Sequence, residues 1–371
     1  MTPMLHDAKD RLDLSQNERQ ILSLIRRRGP LPRAVLAQAT GLSPQAITNL
    51  TRKLIQNRFL DAGAVVRGKV GQPSTPLSLA PEGALFLGLK LGRRLVELAL
   101  VDFLGHVKIH RQEIYSHPTP DRVLSFARNG IATILASMPQ PDRVAGLGIA
   151  TPFRLWDWGA EMVGWRDFDL ADHLGKGLPF PVFLENDAST ACAAELIFGR
   201  SVLPRDFVHL YIAHFAGGGV VLDGRLRVGP RRNAGALGSM PIPGGRQLLD
   251  VASVSTLEER LGHPLPPDDS GWQVPADIEA PWIAESAEAL AFVALSATAL
   301  LDIPTVVIDG AVPPATRRAL ADATRTALAR LPAAGIDRPD IVEGSLARSA
   351  RILGAAALPL AHFFEPGGAL T

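Results

Sequence analysis

Only one residue in 371 is cysteine, Cys192, so the chain holds no internal disulfide and no zinc site built from several thiolates. Long hydrophobic runs are missing too. Stretches such as 292–301 stop well short of the roughly 18–20 apolar residues that span a bilayer. The opening MTPMLHDAKD carries acids and no apolar h-region, which excludes a secretory signal. A cytoplasmic protein with no membrane partner is expected. A large charge imbalance is also absent, the formal net charge being +1. What is present is an apolar content of 47%, enough for real cores, in a chain long enough for two or three domains.

That near-neutral total conceals an asymmetry. Residues 1–80 hold twelve Lys or Arg against five Asp or Glu, a balance of +7, whereas residues 81–371 hold 26 against 32, a balance of −6. A basic head on a slightly acidic body suits a head that meets a polyanion. Arginine outnumbers lysine 32 to 6, which reads as genome composition rather than mechanism.

Three short helical patterns follow one another in the head. Ser15 or Asn17 can cap a helix with an apolar stripe at Ile21, Leu22, Leu24 and Ile25, ended by the run from Arg26 to Arg28 and by Gly29-Pro30. A second helix covers 33–40. Then Gly41-Leu42-Ser43-Pro44 supplies a glycine turn, a buried leucine, a serine N-cap and a proline at the first helical position, opening a third helix that runs to about Arg58. Ile47, Leu50 and Leu54 fall on its inner face. Gln45, Thr48, Asn49 and Arg52 recur at i, i+3, i+4 and i+7 on the opposite face, where Gln and Asn can pair with adenine edges and Arg with guanine or phosphate. A helix-turn-helix presents its second helix to the major groove in this manner, with Ser43 and Lys53 at its margins. After Phe59-Leu60, residues 64–79 read as a hairpin with a basic, glycine-rich tip, a wing whose Arg67 and Lys69 can touch phosphate or the minor groove.

The body contains two similar segments. Residues 86–107 and 207–224 each give strand, glycine turn, strand and a second turn at Asp-x-x-Gly or Asp-Gly, and helical stretches follow both, at 122–137 and from 251 onward. The duplication suggests two like lobes with a cleft between them. Between the repeats a buried strand ends in Glu185-Asn186-Asp187, and a helix of small residues begins at Ala188. An amide and a carboxylate at a strand's carboxyl end, beside a helix start, build a polar site in α/β folds. Asp187 can accept a hydrogen bond from a sugar hydroxyl or act on it as a general base, or else Asn186 or Asp187 simply caps the helix.

Taken with GLSPQAITNL, with 146–152 (GLGIATP), Trp165, 184–188 (LENDA), 217–221 (GGGVV), 233–238 (NAGALG) and 307–310 (VIDG), the chain resembles the ROK family of repressors, open reading frames and sugar kinases over nearly its whole length. The resemblance implies an α/β chain: an N-terminal winged helix-turn-helix at 1–80, then a two-lobed actin-like, ribonuclease-H-like ATPase fold. Its lobes would cover 81–190 and 191–371. It implies a dimer or higher oligomer, homodimer or homotetramer, set on a pseudopalindromic duplex. Asn186, Asp187, Thr151, Trp165 and Glu161, with His214 near the cleft, are the expected contacts to a carbohydrate-like effector.

Departures from the family pattern weigh against catalysis. Where its kinases open the first strand turn with an Asp-x-Gly-Gly-Thr type motif for magnesium and phosphate, this chain has Lys90-Leu-Gly-Arg-Arg94, and an ammonium cannot coordinate magnesium. Thr-Gly before the glycine triplet is replaced by His214-Phe215. The two glutamates that bind sugar in the family correspond to Ala236 and Leu249, and the zinc histidine to Ser239, with no cysteine nearby. No catalytic residue, metal or cofactor is therefore assigned, and the effector is not expected to be the usual hexose or its phosphate. His106 and His110, four apart in a strand or turn, are expected to be surface residues. Two alternatives are a sugar kinase with an appended DNA-binding head and a DNA-binding dimer that senses nothing.

Overall fold

The computed structural model describes residues 12–65, 74–200, 203–267 and 271–367. These residues fall into two compact units. The first comprises 12–149, 154–184 and 355–367, and the second 150–153 and 185–354.

The first unit opens with three helices, α1 (Gln16–Arg28), α2 (Arg33–Thr40) and α3 (Pro44–Gln56), and a three-stranded antiparallel sheet of β1 (Leu31–Pro32), β2 (Leu60–Ala62) and β3 (Pro76–Leu79), ordered β1-β3-β2. Ser15 caps α1 in a reciprocal capping box with Glu18, satisfying two of the donors a helix start leaves open. Gly41 ends α2 in the left-handed conformation, and Ser43 caps α3 with Pro44 behind it. On α3 the inner face is Ile47, Thr51 and Leu54, with Leu50 only half-buried. Thr51 takes the central inner position because the Arg33 Nε donates to its hydroxyl at 2.9 Å, which settles a polar atom inside. The expected wing tip, with Arg67 and Lys69, lies outside the described residues.

A five-stranded sheet follows, from β4 (Leu85–Leu91), β5 (Leu95–Val101), β6 (Val107–Ile114), β7 (Val144–Thr151) and β8 (Val182–Asn186), in the order β6-β5-β4-β7-β8. Helices α4 (Pro120–Ser137) and α5 (Leu170–Gly175) accompany it. The winged helix is not an independent bead on this sheet. Phe59 behind α3, Phe86 of β4, Phe103 after β5 and Phe364 near the C-terminus are fully buried, with ring centroids 4.7–6.2 Å apart. Such offset and edge contacts add to the area each ring removes from water.

After β8 comes α6 (Asp187–Phe198), and the second unit then repeats the plan of the first. Strands β9 (Phe207–Ile212), β10 (Gly217–Leu222), β11 (Arg225–Arg227), β14 (Thr305–Gly310) and β15 (Asp340–Glu343) lie in the order β11-β10-β9-β14-β15. By position in the chain both sheets read third, second, first, fourth, fifth, which is the duplication expected from the two similar segments. A two-stranded ribbon, β12 (Pro241–Ile242) and β13 (Arg246–Gln247), leads to α7 (Leu249–Ala252), α8 (Val254–Leu261) and α9 (Ala276–Leu301); α10 (Pro314–Arg330) and α11 (Ala350–Phe364) complete the element order. Helix α9 is long and apolar enough, by length and composition, to cross a membrane, although no such run was expected. Glu285 and Glu288 break its linear pattern, and its Trp282, Leu290, Val293 and Ala294 are fully buried in the second unit's core. Helix α11 supplies residues up to Gly354 to the second unit and from Ala355 to the first.

Candidate functional site

Two sites are built by these elements, one on each unit. On α3 the residues facing away from the core are Gln45, Asn49 and Arg52, all exposed. Thr48 is half-buried, its hydroxyl donating to the Pro44 carbonyl at 2.8 Å, and the Ser43 hydroxyl accepts from the Ala46 amide, so both contribute more to helix geometry than to a partner. Lys53 is half-exposed, with Nζ 3.0 Å from the buried Glu18 carboxylate. Burial pushes Glu18 up, but the Ser15 hydrogen bonds and then the Lys53 ammonium leave its carboxyl below the usual range, so the pair ties α3 to α1.

The seat of α1 carries a feature the sequence reading passed over. Arg26, read only as part of a basic helix end, is buried with its Nε 3.5 Å from the Glu365 carboxylate, and its guanidinium lies 4.7 Å from the Phe103 ring centroid. Ser23 donates to the same carboxylate at 2.6 Å, and Arg27 stands 3.9 Å from it. Burial lowers the Arg26 pKa and Glu365 pulls it back up. Glu365 follows α11, more than 330 residues from Arg26 in the chain, so no local spacing could have revealed the pair.

In the second unit, Asn186 caps α6, its side-chain oxygen accepting from the Ala188 and Ser189 amides at 3.0 and 3.2 Å. The capping reading holds for Asn186; Asp187 does not cap but meets Arg351, Oδ2 to Nη1 at 3.1 Å, with the two side chains only 17% and 13% exposed. The Arg351 guanidinium carbon lies 5.4 Å from the Tyr211 ring centroid. Glu185 is buried, accepts from the Asn186 amide at 2.9 Å and pairs with Arg232 at 2.5 Å. Burial raises the Glu185 pKa, against the pull of that amide and of the guanidinium. The glycine triplet at 217–219 exists because α6 lies directly on β10. A Cβ on Gly217 would stand 2.7 Å from the Ala188 Cβ, and one on Gly219 would stand 2.5 Å from the Cys192 Cβ. Those two helix residues are one turn apart, so the triplet is a packing groove for α6.

The remaining expected contacts fall in both units. Trp165 is a core residue of the first unit, its indole N–H donating to the Pro118 carbonyl at 2.8 Å, so its polar atom is already used. Glu161 is exposed in the first unit. Thr151, half-buried, ends β7, its hydroxyl 3.5 Å from the Pro152 carbonyl. His214 sits in the turn between β9 and β10, Nδ1 3.5 Å from Glu258. His106 is exposed beside Asp102, and His110 pairs with Glu97, which also holds the buried Lys90 ammonium at 2.5 Å. Among the described residues no three His, Cys, Asp or Glu side chains gather as metal ligands.

A buried polar patch in the second unit holds two residues to which the sequence assigned no role. Asp309 of β14 is fully buried, accepts from the Gly310 and Ala347 amides, and is pushed up to about 6 by burial. On the paired strand, His209 is fully buried with neither ring nitrogen hydrogen-bonded among the described residues, and burial depresses its pKa to about 3.

Comparison with known proteins identifies two domains along the chain. The family model described as "ROK family" matches residues 86–256, and the one described as "Winged helix-turn-helix DNA-binding" matches 14–60. The chain carries a ROK-family domain behind a winged helix-turn-helix. It is 24% identical to the xylose repressor of Bacillus subtilis (strain 168) over 232 residues, 61% of this chain and 60% of the repressor, so it spans under two thirds of that relative. It has the fold of a ROK family transcriptional regulator described as a homolog of the E. coli MLC protein, with a TM-score of 0.68, 24% identity and 93% and 95% of the two chains covered. It also has the fold of the ROK hexokinase from Thermus thermophilus, with a TM-score of 0.56, 24% identity and 74% and 97% covered. ROK proteins thus include both regulators and kinases. The zinc that the ROK resemblance implies does not fit the residues present here, with Ser239 at the histidine position and the only cysteine buried under β10.

Proposed function

We propose that this chain is a transcriptional regulator of the repressor type. Its α3 enters the major groove, a dimer or tetramer sets two such helices on a pseudopalindromic operator, and a carbohydrate-like effector binds at Asn186 and Asp187 without phosphoryl transfer. The observation that carries the DNA reading is the exposed Gln45, Asn49 and Arg52 row on a capped helix with its opposite face fully buried. A capped, core-anchored helix keeps such side chains pre-organised for base edges. Against catalysis stand Lys90, paired with Glu97 inside the first sheet, and Asp187, whose carboxylate is already engaged by Arg351.

The test is retention of the full chain on a selected operator duplex, with affinity falling steeply as salt rises, together with a carbohydrate that changes it. ATP consumption over a sugar panel, abolished by Asp187→Asn, would reverse the ranking in favour of a kinase.

A further inference from the structure

The helix that carries Gln45, Asn49 and Arg52 is held at its C-terminal end by the first sheet and its loops. Three consecutive residues after α3 carry the join. The Asn57 carbonyl accepts from the Arg143 Nη1 at 3.1 Å, and the same nitrogen donates to the Gly83 carbonyl at 3.2 Å. The Arg58 carbonyl oxygen lies where a Cβ on Gly83 would meet it at 2.6 Å, so a glycine is needed for this approach. Phe59 enters the ring cluster with Phe103 and Phe364, and its carbonyl accepts from the Ala80 amide at 3.0 Å. Helix α1 is fastened separately. Arg19 donates to the His362 carbonyl at 2.9 Å, Arg26 donates to the Phe103 carbonyl at 2.5 Å, and Arg26 and Ser23 both meet Glu365. Only residues 80–84 separate β3 from β4, and Ala80, Gly83 and Ala84 are buried. A mobile tether is exposed and few contacts cross it. This connection is part of a core, and all of these residues belong to the first unit.

From these observations, and resting on the DNA-binding reading above, we infer that the first lobe aims the recognition helix. Asn57, Arg58 and Phe59 with Arg143, and the Arg26–Glu365 pair, are positioning residues that set the spacing and phase of the half-sites the protein accepts. The exposed row chooses bases, but a symmetric oligomer also chooses the distance between half-sites. A flexibly tethered head tolerates a change in that distance, because the tether absorbs it. A head joined through buried rings and a buried ion pair resists it, since turning the head strips a buried charge of its partner. Two base pairs inserted between half-sites rotate one against the other by about 70° and displace it by roughly 7 Å, far beyond what contacts at hydrogen-bond distance can follow.

Fluorescence anisotropy of the full chain tests this, using the duplex that wild type selects and the same duplex with two base pairs inserted between its half-sites. Wild type is expected to bind the lengthened duplex at least tenfold more weakly. Glu365→Gln keeps the side chain's shape, and Arg143→Met changes a half-buried position that still folds if the first variant does not. Each should reduce that ratio at least threefold while keeping the base preference of a half-site, whereas loss of stability alone would weaken both duplexes equally. Spin labels at Gln38→Cys in α2 and Asn129→Cys in α4, on labelled chain diluted with unlabelled, measure the join itself, Cys192 being buried. The head-to-lobe distances should be distributed as narrowly as those between Asn129→Cys and Lys108→Cys, both on the lobe, and more broadly in Glu365→Gln. Equal wild-type affinity for the two duplexes, a broad head-to-lobe distribution in wild type, or a ratio untouched by both variants overturns the inference and leaves DNA binding standing. Failure to bind any duplex, with the narrow distribution observed, overturns the DNA reading and the positioning role with it.

Discussion

At the scale of single residues, the outward row of α3 proposed to read DNA separates from its neighbours by what each side chain already does. Ser43 and Thr48 are engaged with the helix's own backbone and Lys53 with Glu18, leaving Gln45, Asn49 and Arg52 as the outward set. Asn49→Ala and Arg52→Ala should therefore each weaken specific operator binding by about 1–3 kcal/mol, the worth of a good base contact. Fluorescence anisotropy against specific and random duplexes measures this, and unchanged specific affinity would mean the wrong face was chosen. Glu365→Ala acts differently. It leaves Arg26 buried without its carboxylate, a loss on the order of 3–5 kcal/mol, and should lower the thermal midpoint. Replacing Glu82, an exposed partner of Lys108, should change it little.

At the scale of elements, the paired strands β9 and β14 each carry a buried titrating group, His209 and Asp309, with opposite consequences for pH. Asp309 has a raised folded pKa, so the folded state binds its proton more tightly than the unfolded chain. Its contribution is greatest below the unfolded value and is lost as pH rises through about 6. His209 has a depressed pKa, so its neutral burial is favourable above pH ~6.5 and increasingly costly as pH falls toward 3. Melting of wild type and Asp309→Asn should therefore diverge between pH 7.5 and 5, wild type gaining on the variant as pH falls, by on the order of 1 kcal/mol. His209→Leu should gain on wild type over the same interval. Equal slopes for all three would refute these assignments. Gly219→Ala belongs to the same scale. Its Cβ would strike Cys192, so α6 must shift, and effector binding should be lost before operator binding.

The same elements show how much was legible in the sequence. The three helices of the head and their caps were readable because caps and turns are local chemistry, Ser15, Gly41 and Ser43 acting within a few residues of themselves. The duplicated sheets were readable because each repeats one pattern of strands and turns. The partners Arg26–Glu365, Asp187–Arg351 and Glu185–Arg232 were not, for they join segments 47 to 339 residues apart. The surroundings of Trp165 were not legible for a related reason. A buried indole is marked as core or ligand contact only by where its N–H goes, and here it goes to Pro118.

At the scale of the molecule, α11 carries Arg351, the partner of Asp187 in the proposed effector site, and leads into Glu365 beneath α1. One helix thus contributes to both candidate sites. If effector and operator binding are coupled, the coupling must be reciprocal, each ligand changing the other's affinity by the same factor. The central claim remains that the outward row of α3 reads DNA sequence. The most direct measurement is selection of duplexes from a random pool by wild type and by the Asn49→Ala/Arg52→Ala double variant. Wild type should enrich an inverted repeat of two half-sites, and the variant should retain salt-sensitive binding while losing base preference within each half-site. Enrichment of the same sequence by both proteins, or of none by wild type, would contradict the account.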